Sequence, residues 1–194
     1  MTRPTKNELR TQLRQVMRQM GGKYRLEQSE FLCARVLEAS VWQAARSVLL
    51  FAPRIDEPDV WPLVRQALDT GKEVSLPSFD PVMGAYGARR LVDPEKGLCP
   101  GKFGIHEPAN DCLEVELAGL DLVLVPGLAF TVNGGRLGRG AGFYDRLLMA
   151  TGAVRMGVGL DEQIVPWLPM EPHDVKLDWI LTPSCTHDGL ARFD

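Results

Sequence analysis

The sequence lacks the features that mark several protein classes. It has no run of about 18 apolar residues, so no membrane-spanning helix is expected. Its N-terminal segment, MTRPTKNELR, has no apolar signal core, which argues against secretion. The net charge of −3 gives no sign of a nucleic-acid-binding surface over the whole molecule. We therefore expect a cytoplasmic globular protein with no membrane or nucleic-acid partner.

Cysteine and histidine are also scarce. The four cysteines, Cys33, Cys99, Cys112 and Cys185, include no C-x-x-C pair, and the three histidines include no H-x-x-x-H pair. Zinc sites need spacings of this kind. We therefore expect free thiols in a reducing compartment and no histidine-based metal site.

Short apolar runs alternate with helical or turn-rich segments along much of the chain. Helical patterns cover residues 60–68 and 143–150. The strand-like runs are 47–51, 73–76, 122–125, 156–160 and 179–181. Runs that are apolar on both faces and separated by helices are typical of buried parallel strands. They predict an α/β fold: a three-layer α/β/α domain with a mostly parallel central sheet of the Rossmann-like kind.

One core is expected to hold the whole chain. Its 194 residues, 45% of them hydrophobic, are enough for one well-buried core, so residues 1–194 are predicted to form a single domain. The stretch from Asp80 to Gly119 interrupts the alternation, because it is rich in glycine, proline and charge. We predict long loops there with one or two strands, one of them near residues 89–92, as a lid or pocket wall.

Two helices are predicted before the first strand. Thr5 and Glu8 have the spacing of a capping box with Thr5 as the N-cap, and Gly21-Gly22 is a stop signal. The first helix should therefore begin after Thr5 and end before Gly21. The second is expected over about residues 26–38. Its expected core residues are Phe31, Leu32 and Val36.

A basic stripe follows the first helix. Lys6, Arg10, Arg14 and Arg18 are each four residues apart and therefore share one face. Residues 1–25 contain seven Lys or Arg and one Glu, a charge of +6, whereas the whole chain carries −3. The stripe is either a solvated face or, if the helix packs beside the loop described next, a source of Lys6 and Arg10 for a polyphosphate.

The strongest functional signal is the segment from Gly134 to Arg146. Arg136, Arg139 and Arg146 alternate there with glycines, directly before a predicted helix. Glycines let backbone N–H groups approach an anion, guanidinium groups fit phosphate oxygens, and a helix start adds further N–H donors. The segment is neither a Walker A loop nor a G-x-G-x-x-G motif. It predicts an anion site, and the alternative is a flexible surface loop with solvated arginines.

Three acids lie near the carboxyl ends of predicted strands, where ligands bind in open parallel sheets. Glu57 follows the first strand, Asp145 lies in the first turn after the loop, and Asp174 precedes the last strand. Asp145 and Asp174 could hold Mg²⁺ on a nucleotide, because this ion usually takes one or two carboxylates together with phosphate oxygens. For Asp145 the alternative is an acid favoured by the helix dipole.

These residues resemble the signature of a known family, the 5-formyltetrahydrofolate cyclo-ligases, also called methenyltetrahydrofolate synthetases. The matching motifs are KNELR at 6–10, Asp56-Glu57, FGIHEP at 103–108, PGLAF at 126–130, GRLGRG at 135–140, GFYDR at 142–146 and HDVKLD at 173–178. Three places depart from the pattern: Phe143, where the family often has Tyr, Ala141, where Gly or Lys is common, and the segment 58–60 after Glu57, where an acidic or Thr-bearing pattern is expected.

The resemblance implies a monomeric enzyme that uses ATP and Mg²⁺ to convert 5-formyltetrahydrofolate into 5,10-methenyltetrahydrofolate, ADP and phosphate. The implied ATP contacts are Lys6, Arg10, Arg136, Leu137, Gly138, Arg139, Gly140, Ala141, Gly142, Phe143 and Tyr144. The implied folate contacts are Glu57, Arg139, Gly140, Ala141, Gly142 and Phe143. Asp145 and Asp174 would hold the metal. Arg139 would be catalytic, by neutralising charge on the transferring phosphoryl group, and Arg146 would be structural.

Two other functions fit parts of the pattern. A sugar-phosphate isomerase or CoA-transferase-like protein could use the loop for a monophosphate, because similar layered folds host such activities. The combination of basic helix and loop favours a triphosphate instead. A nucleic-acid-binding role for the first helix is disfavoured by the net charge and by the lack of a second basic patch.

Overall fold

The computed structural model describes residues 3–190. The helices are α1 Lys6–Gln19, α2 Gly22–Glu38, α3 Ser40–Ala44, α4 Trp61–Asp69 and α5 Phe143–Met149. The strands are β1 Ser47–Leu49, β2 Glu73–Asp80, β3 Ala85–Arg90, β4 Leu98–Pro100, β5 His106–Pro108, β6 Glu114–Val115, β7 Leu122–Val125, β8 Ala129–Phe130, β9 Arg136–Leu137, β10 Val154–Val158, β11 Trp179–Leu181 and β12 Thr186–Asp188. No helix in the described part of the chain is long and apolar enough to cross a membrane.

A mixed, mostly parallel sheet forms the centre of the molecule. Its eight strands lie in the order β12-β11-β10-β7-β1-β2-β3-β6. The five central strands, from β11 to β2 in this order, run parallel to one another. The edges are antiparallel, with β12 on one side and β3 and β6 on the other. The predicted fold class is therefore confirmed.

Helices cover both faces of this sheet. In β7, Leu122 and Leu124 face a core cluster that includes residues of α2 and α4. Val123 and Val125 face the opposite cluster, with Leu147 of α5. All four β7 side chains are buried, as expected for a central strand whose neighbours in sequence point to opposite faces. This alternation makes the three layers.

The N-terminal helices mostly follow the sequence prediction. The capping box forms as predicted: the Glu8 backbone N–H donates to Thr5 Oγ1 at 3.3 Å, and the Thr5 N–H donates to Glu8 Oε2 at 2.7 Å. However, α2 begins at Gly22, earlier than predicted, with Gly21 as its N-cap. The expectation that Phe31 contacts the core was wrong, since it is 53% exposed. The side chains of Leu32 and Val36 are buried in the core, as predicted.

The stretch from Asp80 to Gly119 contains more strand than predicted. Strand β2 does not end before Pro77 but runs on to Asp80 and pairs with β3. Proline is tolerated there because β2 pairs with β1 only up to Ser75, so no ladder bond to β1 is lost at Pro77. Strands β4 and β5 form a small hairpin, and β6 extends the main sheet.

Candidate active site

A large cleft of about 990 Å³ lies beyond the carboxyl ends of the parallel strands. Helix α1, the segment after β1, the loop from β9 to α5 and the segment before β11 surround it. Every site residue predicted from the sequence lines this cleft: Lys6, Arg10, Glu57, residues 136–144, Asp145 and Asp174. The structure thus brings together residues that are far apart in the chain, at the position expected for ligands of such sheets.

Helix α1 packs beside the glycine-arginine loop. Arg10 Nε donates to the Gly138 carbonyl at 3.0 Å, and Arg14 donates to the Arg139 carbonyl at 3.2 Å. On the buried side of the helix, Leu13 packs with Leu137 of β9. The basic stripe is therefore not a freely solvated face, because two of its arginines hold the loop backbone.

The loop backbone needs glycine at defined positions. Gly140 and Gly142 have φ angles of +109° and +65°, which residues with a Cβ rarely adopt. Gly142 is the N-cap of α5, so it also sets where the helix begins. Next to it, the Arg146 guanidinium packs on the Phe143 ring at 5.0 Å from the centroid. This contact agrees with the structural role predicted for Arg146.

Arg136 is held inside the protein by Asp145. Its side chain is 4% exposed, and one terminal nitrogen donates to Asp145 Oδ1 at 2.9 Å. The Arg136 Nε is buried and has no hydrogen-bond partner within the described residues. The side chain of neighbouring Leu137 is buried in the core as well. In this arrangement Arg136 fixes the orientation of the Asp145 carboxylate.

Arg139 lies between two acids that follow β1. Its terminal nitrogens pair with both oxygens of Asp56, at 2.8 and 3.1 Å, and its Nε donates to Glu57 Oε1 at 3.0 Å. Burial raises the pKa of Glu57, and the Arg139 charge acts against that rise. Burial acts on Asp56 in the same direction, but the hydrogen bonds and charge of Arg139, together with a backbone hydrogen bond and the Arg54 charge, outweigh it, so the pKa of Asp56 lies below its usual range.

Lys6 lies against a polar cluster at the opposite side of the loop. Its Nζ is 2.7 Å from Asp174 Oδ2 and 3.2 Å from Glu171 Oε2. Glu171, His173 and Asp174 offer ligand atoms within 4.8 Å of one another. Burial would raise the pKa of Asp174, but the hydrogen bond and charge of Lys6, the Glu171 backbone N–H and the His173 charge together outweigh it, and the pKa is lowered. The structure therefore groups Asp174 most tightly with Glu171 and His173, while Asp145 lines the same cleft beside Arg136.

An aromatic wall forms the remaining side of the cleft: Phe143, Tyr86 and Phe103 line it, and Phe79 packs against two of these rings. The Phe143 ring lies 4.9 Å from Tyr86, 6.0 Å from Phe79 and 6.1 Å from Phe103 between centroids. Lys102 Nζ lies 3.4 Å from the centre of the Phe79 ring. Sequence reasoning missed Phe79 and Tyr86, because they lie in the part of β2 beyond Pro77 and in β3, whereas the strand predicted here was placed near residues 89–92. It also missed Lys102, which begins the turn between β4 and β5. The FGIHEP motif was the one signal that pointed near them.

Known proteins resemble this chain over most of its length. The family model described as the 5-formyltetrahydrofolate cyclo-ligase family matches residues 2–183. The 5-formyltetrahydrofolate cyclo-ligase of Mus musculus is 32% identical over 91% of this chain and 92% of its own length. That of Mycolicibacterium smegmatis is 33% identical over 93% of this chain and 94% of its own.

A solved structure has the same fold over nearly the whole chain. The NMR structure of Aquifex aeolicus 5,10-methenyltetrahydrofolate synthetase superposes with a TM-score of 0.87 at 28% identity, covering 97% of this chain and 95% of that one. The resemblance seen in the sequence motifs thus extends to the whole fold and to full-length relatives. The chain belongs to the 5-formyltetrahydrofolate cyclo-ligase family of enzymes.

Proposed function

We propose that the chain converts 5-formyltetrahydrofolate and ATP into 5,10-methenyltetrahydrofolate, ADP and phosphate, with Mg²⁺ required. The observation that carries this proposal is the position of Arg139. Its backbone belongs to the glycine loop that α1 holds, and its guanidinium reaches Glu57 on the other side of the cleft. One side chain therefore joins the surface suited to a polyphosphate to the acid suited to a pterin.

The reaction has two steps. In the first, the formyl oxygen attacks the γ-phosphorus of ATP, the bond to the bridging oxygen breaks, and ADP leaves. In the second, N10 of the folate forms a bond to the formyl carbon and gives up its proton, and the carbon–oxygen bond breaks as phosphate leaves. An amide-type oxygen already carries partial negative charge, so it needs in-line positioning more than a strong base. This agrees with the lack of a Ser-His-Asp or Cys-His set in the sequence.

The ATP phosphates would lie between α1 and the loop. Lys6 and Arg10 supply charge from the helix, and residues 136–144 supply backbone N–H groups and Arg139. Arg139 would neutralise charge that develops on the phosphoryl group, using the N–H donors that its three contacts to Asp56 and Glu57 leave over. Arg136 contributes through Asp145 rather than by touching ATP, because its side chain is only 4% exposed.

The folate would occupy the side of the cleft with Glu57 and the aromatic wall. The pterin edge is rich in N–H donors, which suit a carboxylate acceptor such as Glu57. Gly140, Ala141, Gly142 and Phe143 line the cleft between this acid and the wall. The backbone of this segment would contact both substrates at their junction.

The donor set in the cleft fits Mg²⁺. This ion prefers carboxylate oxygens combined with phosphate oxygens. Arg136 engages only Oδ1 of Asp145, and Lys6 engages Oδ2 of Asp174, so each acid keeps an oxygen for a metal-bound nucleotide. Asp145 and Asp174 would hold the ion. When bound, it would reduce the negative charge of the phosphates.

One assay tests the function. The purified protein is incubated with 5-formyltetrahydrofolate, ATP and Mg²⁺, the methenyl product is followed by its near-ultraviolet absorbance, and ADP is measured in parallel. We expect equal amounts of product and ADP, with both lost when ATP is omitted or a chelator is added. Product formed without ADP would contradict the proposal, as would no product at all. We further propose a cytoplasmic monomer, which sedimentation of the purified chain would check for oligomeric state.

A further inference from the structure

A buried carboxylate lies behind the aromatic wall. Glu107, from the FGIHEP motif, is 5% exposed. Its Oε2 accepts the Phe79 backbone N–H at 2.8 Å. Its Oε1 accepts the Lys102 backbone N–H at 3.1 Å and the Tyr86 hydroxyl at 3.2 Å. An ionised carboxylate is an acceptor only, and here all three partners are donors.

These three donors belong to three different segments. Phe79 is near the end of β2, Tyr86 is in β3, and Lys102 begins the turn between β4 and β5. The Glu107 carboxylate is thus a common acceptor for the turn and for both strands. Buried charged groups persist where their hydrogen bonds fix a structure. Glu107 is therefore placed to hold the turn and the two strands in one orientation.

The turn is shaped around the Glu107 side chain. A Cβ at Gly101 would collide with the Glu107 carboxyl group, so the backbone approaches this acid as closely as glycine permits. The next residues carry Phe103 into the cleft with a left-handed backbone, at φ +62°. A non-glycine residue in this conformation costs free energy, so it persists only where the surrounding structure holds it. The Phe103 ring is 61% exposed and faces Phe143.

The wall fits the folate better than the nucleotide. Its rings are half-buried except that of Phe103, and two exposed cations, Lys102 and Arg146, lie against them. Folate has flat aromatic rings and an anionic glutamate tail, so both parts of the wall have a counterpart. The cations suited to a triphosphate, Lys6 and Arg10, come from α1 instead. Glu107 touches none of them.

We propose that Glu107 is a positioning residue that sets the affinity for the folate substrate through Phe79, Tyr86 and the turn at Lys102, while leaving the nucleotide site unchanged. This rests on the proposed function. Replacing the carboxylate by an amide places N–H groups opposite N–H donors, so at least one contact is lost. The wall then loses its fixed orientation, although its rings remain.

Calorimetric titration tests this without requiring turnover. Wild type and Glu107→Gln are each titrated with 5-formyltetrahydrofolate and, separately, with ATP and Mg²⁺. We expect the folate Kd to rise roughly tenfold and the ATP Kd to change by less than about twofold. Gly101→Ala, which presses on Glu107, should give the same selective loss. Glu114→Gln is the matched control, because that acid is 82% exposed on β6 and pairs only loosely with Arg89 at 3.5 Å.

The outcomes are distinct. A selective rise in folate Kd in both variants supports the proposal. Equal rises for both ligands, or a lower fraction of binding-competent protein with unchanged Kd values, would assign Glu107 to general stability and overturn it. A selective rise in the ATP Kd would assign the aromatic wall to nucleotide binding and would also overturn the proposal. If the wild type binds folate but forms no product, the proposed function fails while this comparison still decides the role of Glu107.

Discussion

Arg139 and Asp56 form a bidentate ion pair, with Arg139 nitrogens 2.8 and 3.1 Å from the two Asp56 oxygens. The two residues are 83 positions apart in the chain. Glu57 takes a further N–H of the same guanidinium. Parallel, charge-assisted contacts of this kind define orientation as well as energy. Asp56 therefore sets where the Arg139 guanidinium lies, and we propose this pair as part of the catalytic arrangement.

Replacing Arg139 by alanine should lower kcat strongly. If the guanidinium neutralises the transferring phosphoryl group, its loss should cost about 2–4 kcal/mol of transition-state stabilisation. Steady-state kinetics of product formation measures this. Arg65→Ala is the control, because Arg65 pairs only with exposed Glu95 at 3.4 Å outside the cleft. A rate loss below about tenfold for Arg139→Ala would favour a loop with no part in the chemistry.

Asp56→Asn should act through Arg139. The substitution keeps the shape but removes the charge that holds the guanidinium, so kcat should fall. In an Arg139→Ala background the same change should have little further effect. The double-mutant cycle should give a coupling energy of about 1–3 kcal/mol. Additive effects would show that Asp56 contributes independently of Arg139.

Folate affinity should weaken on acidification because of Glu57. Burial raises the pKa of Glu57 above its ordinary 4.5, so its proton is taken up at a higher pH than for an exposed glutamate. The ionised form, which accepts from the pterin, is present above the folded-state pKa and is lost as pH falls through it. Binding titrations from about pH 8 to about pH 5 should show this weakening. Glu57→Gln should bind weakly throughout and lack this component, whereas an unchanged pH profile would contradict the assignment.

Lys6→Met should raise the KM for ATP. The ammonium group lies 2.7 Å from Asp174 and lines the cleft, so its loss removes a charged contact to the phosphates. We expect a rise of roughly tenfold for ATP, the size of a lost charged hydrogen bond, and little change for folate. Lys23→Met on α2 is a matched control, since Lys23 is exposed and does not line the cleft. Equal changes for both substrates would place Lys6 outside the nucleotide site.

Local patterns predicted much of the fold. The capping box at Thr5 and the apolar run of β7 report on contacts within a few residues, so they could be read directly from the sequence. The extension of β2 past Pro77 could not, and of the four strands β3–β6 only β3 was partly anticipated, by the strand predicted near residues 89–92. Those strands are short, and their pairing depends on partners elsewhere in the sheet rather than on their own residue pattern.

The sequence by itself determined the fold class, the basic face of α1 and the glycine-arginine loop, because each rests on spacing between nearby residues. Only the tertiary structure decided how the charges pair. It joined Arg136 to Asp145, and Arg139 to Asp56 and Glu57, where the sequence had suggested two arginines facing ATP. It also placed Glu107 behind the aromatic wall. Ion pairs act over a few ångströms, and only the folded chain brings residues from separate segments that close.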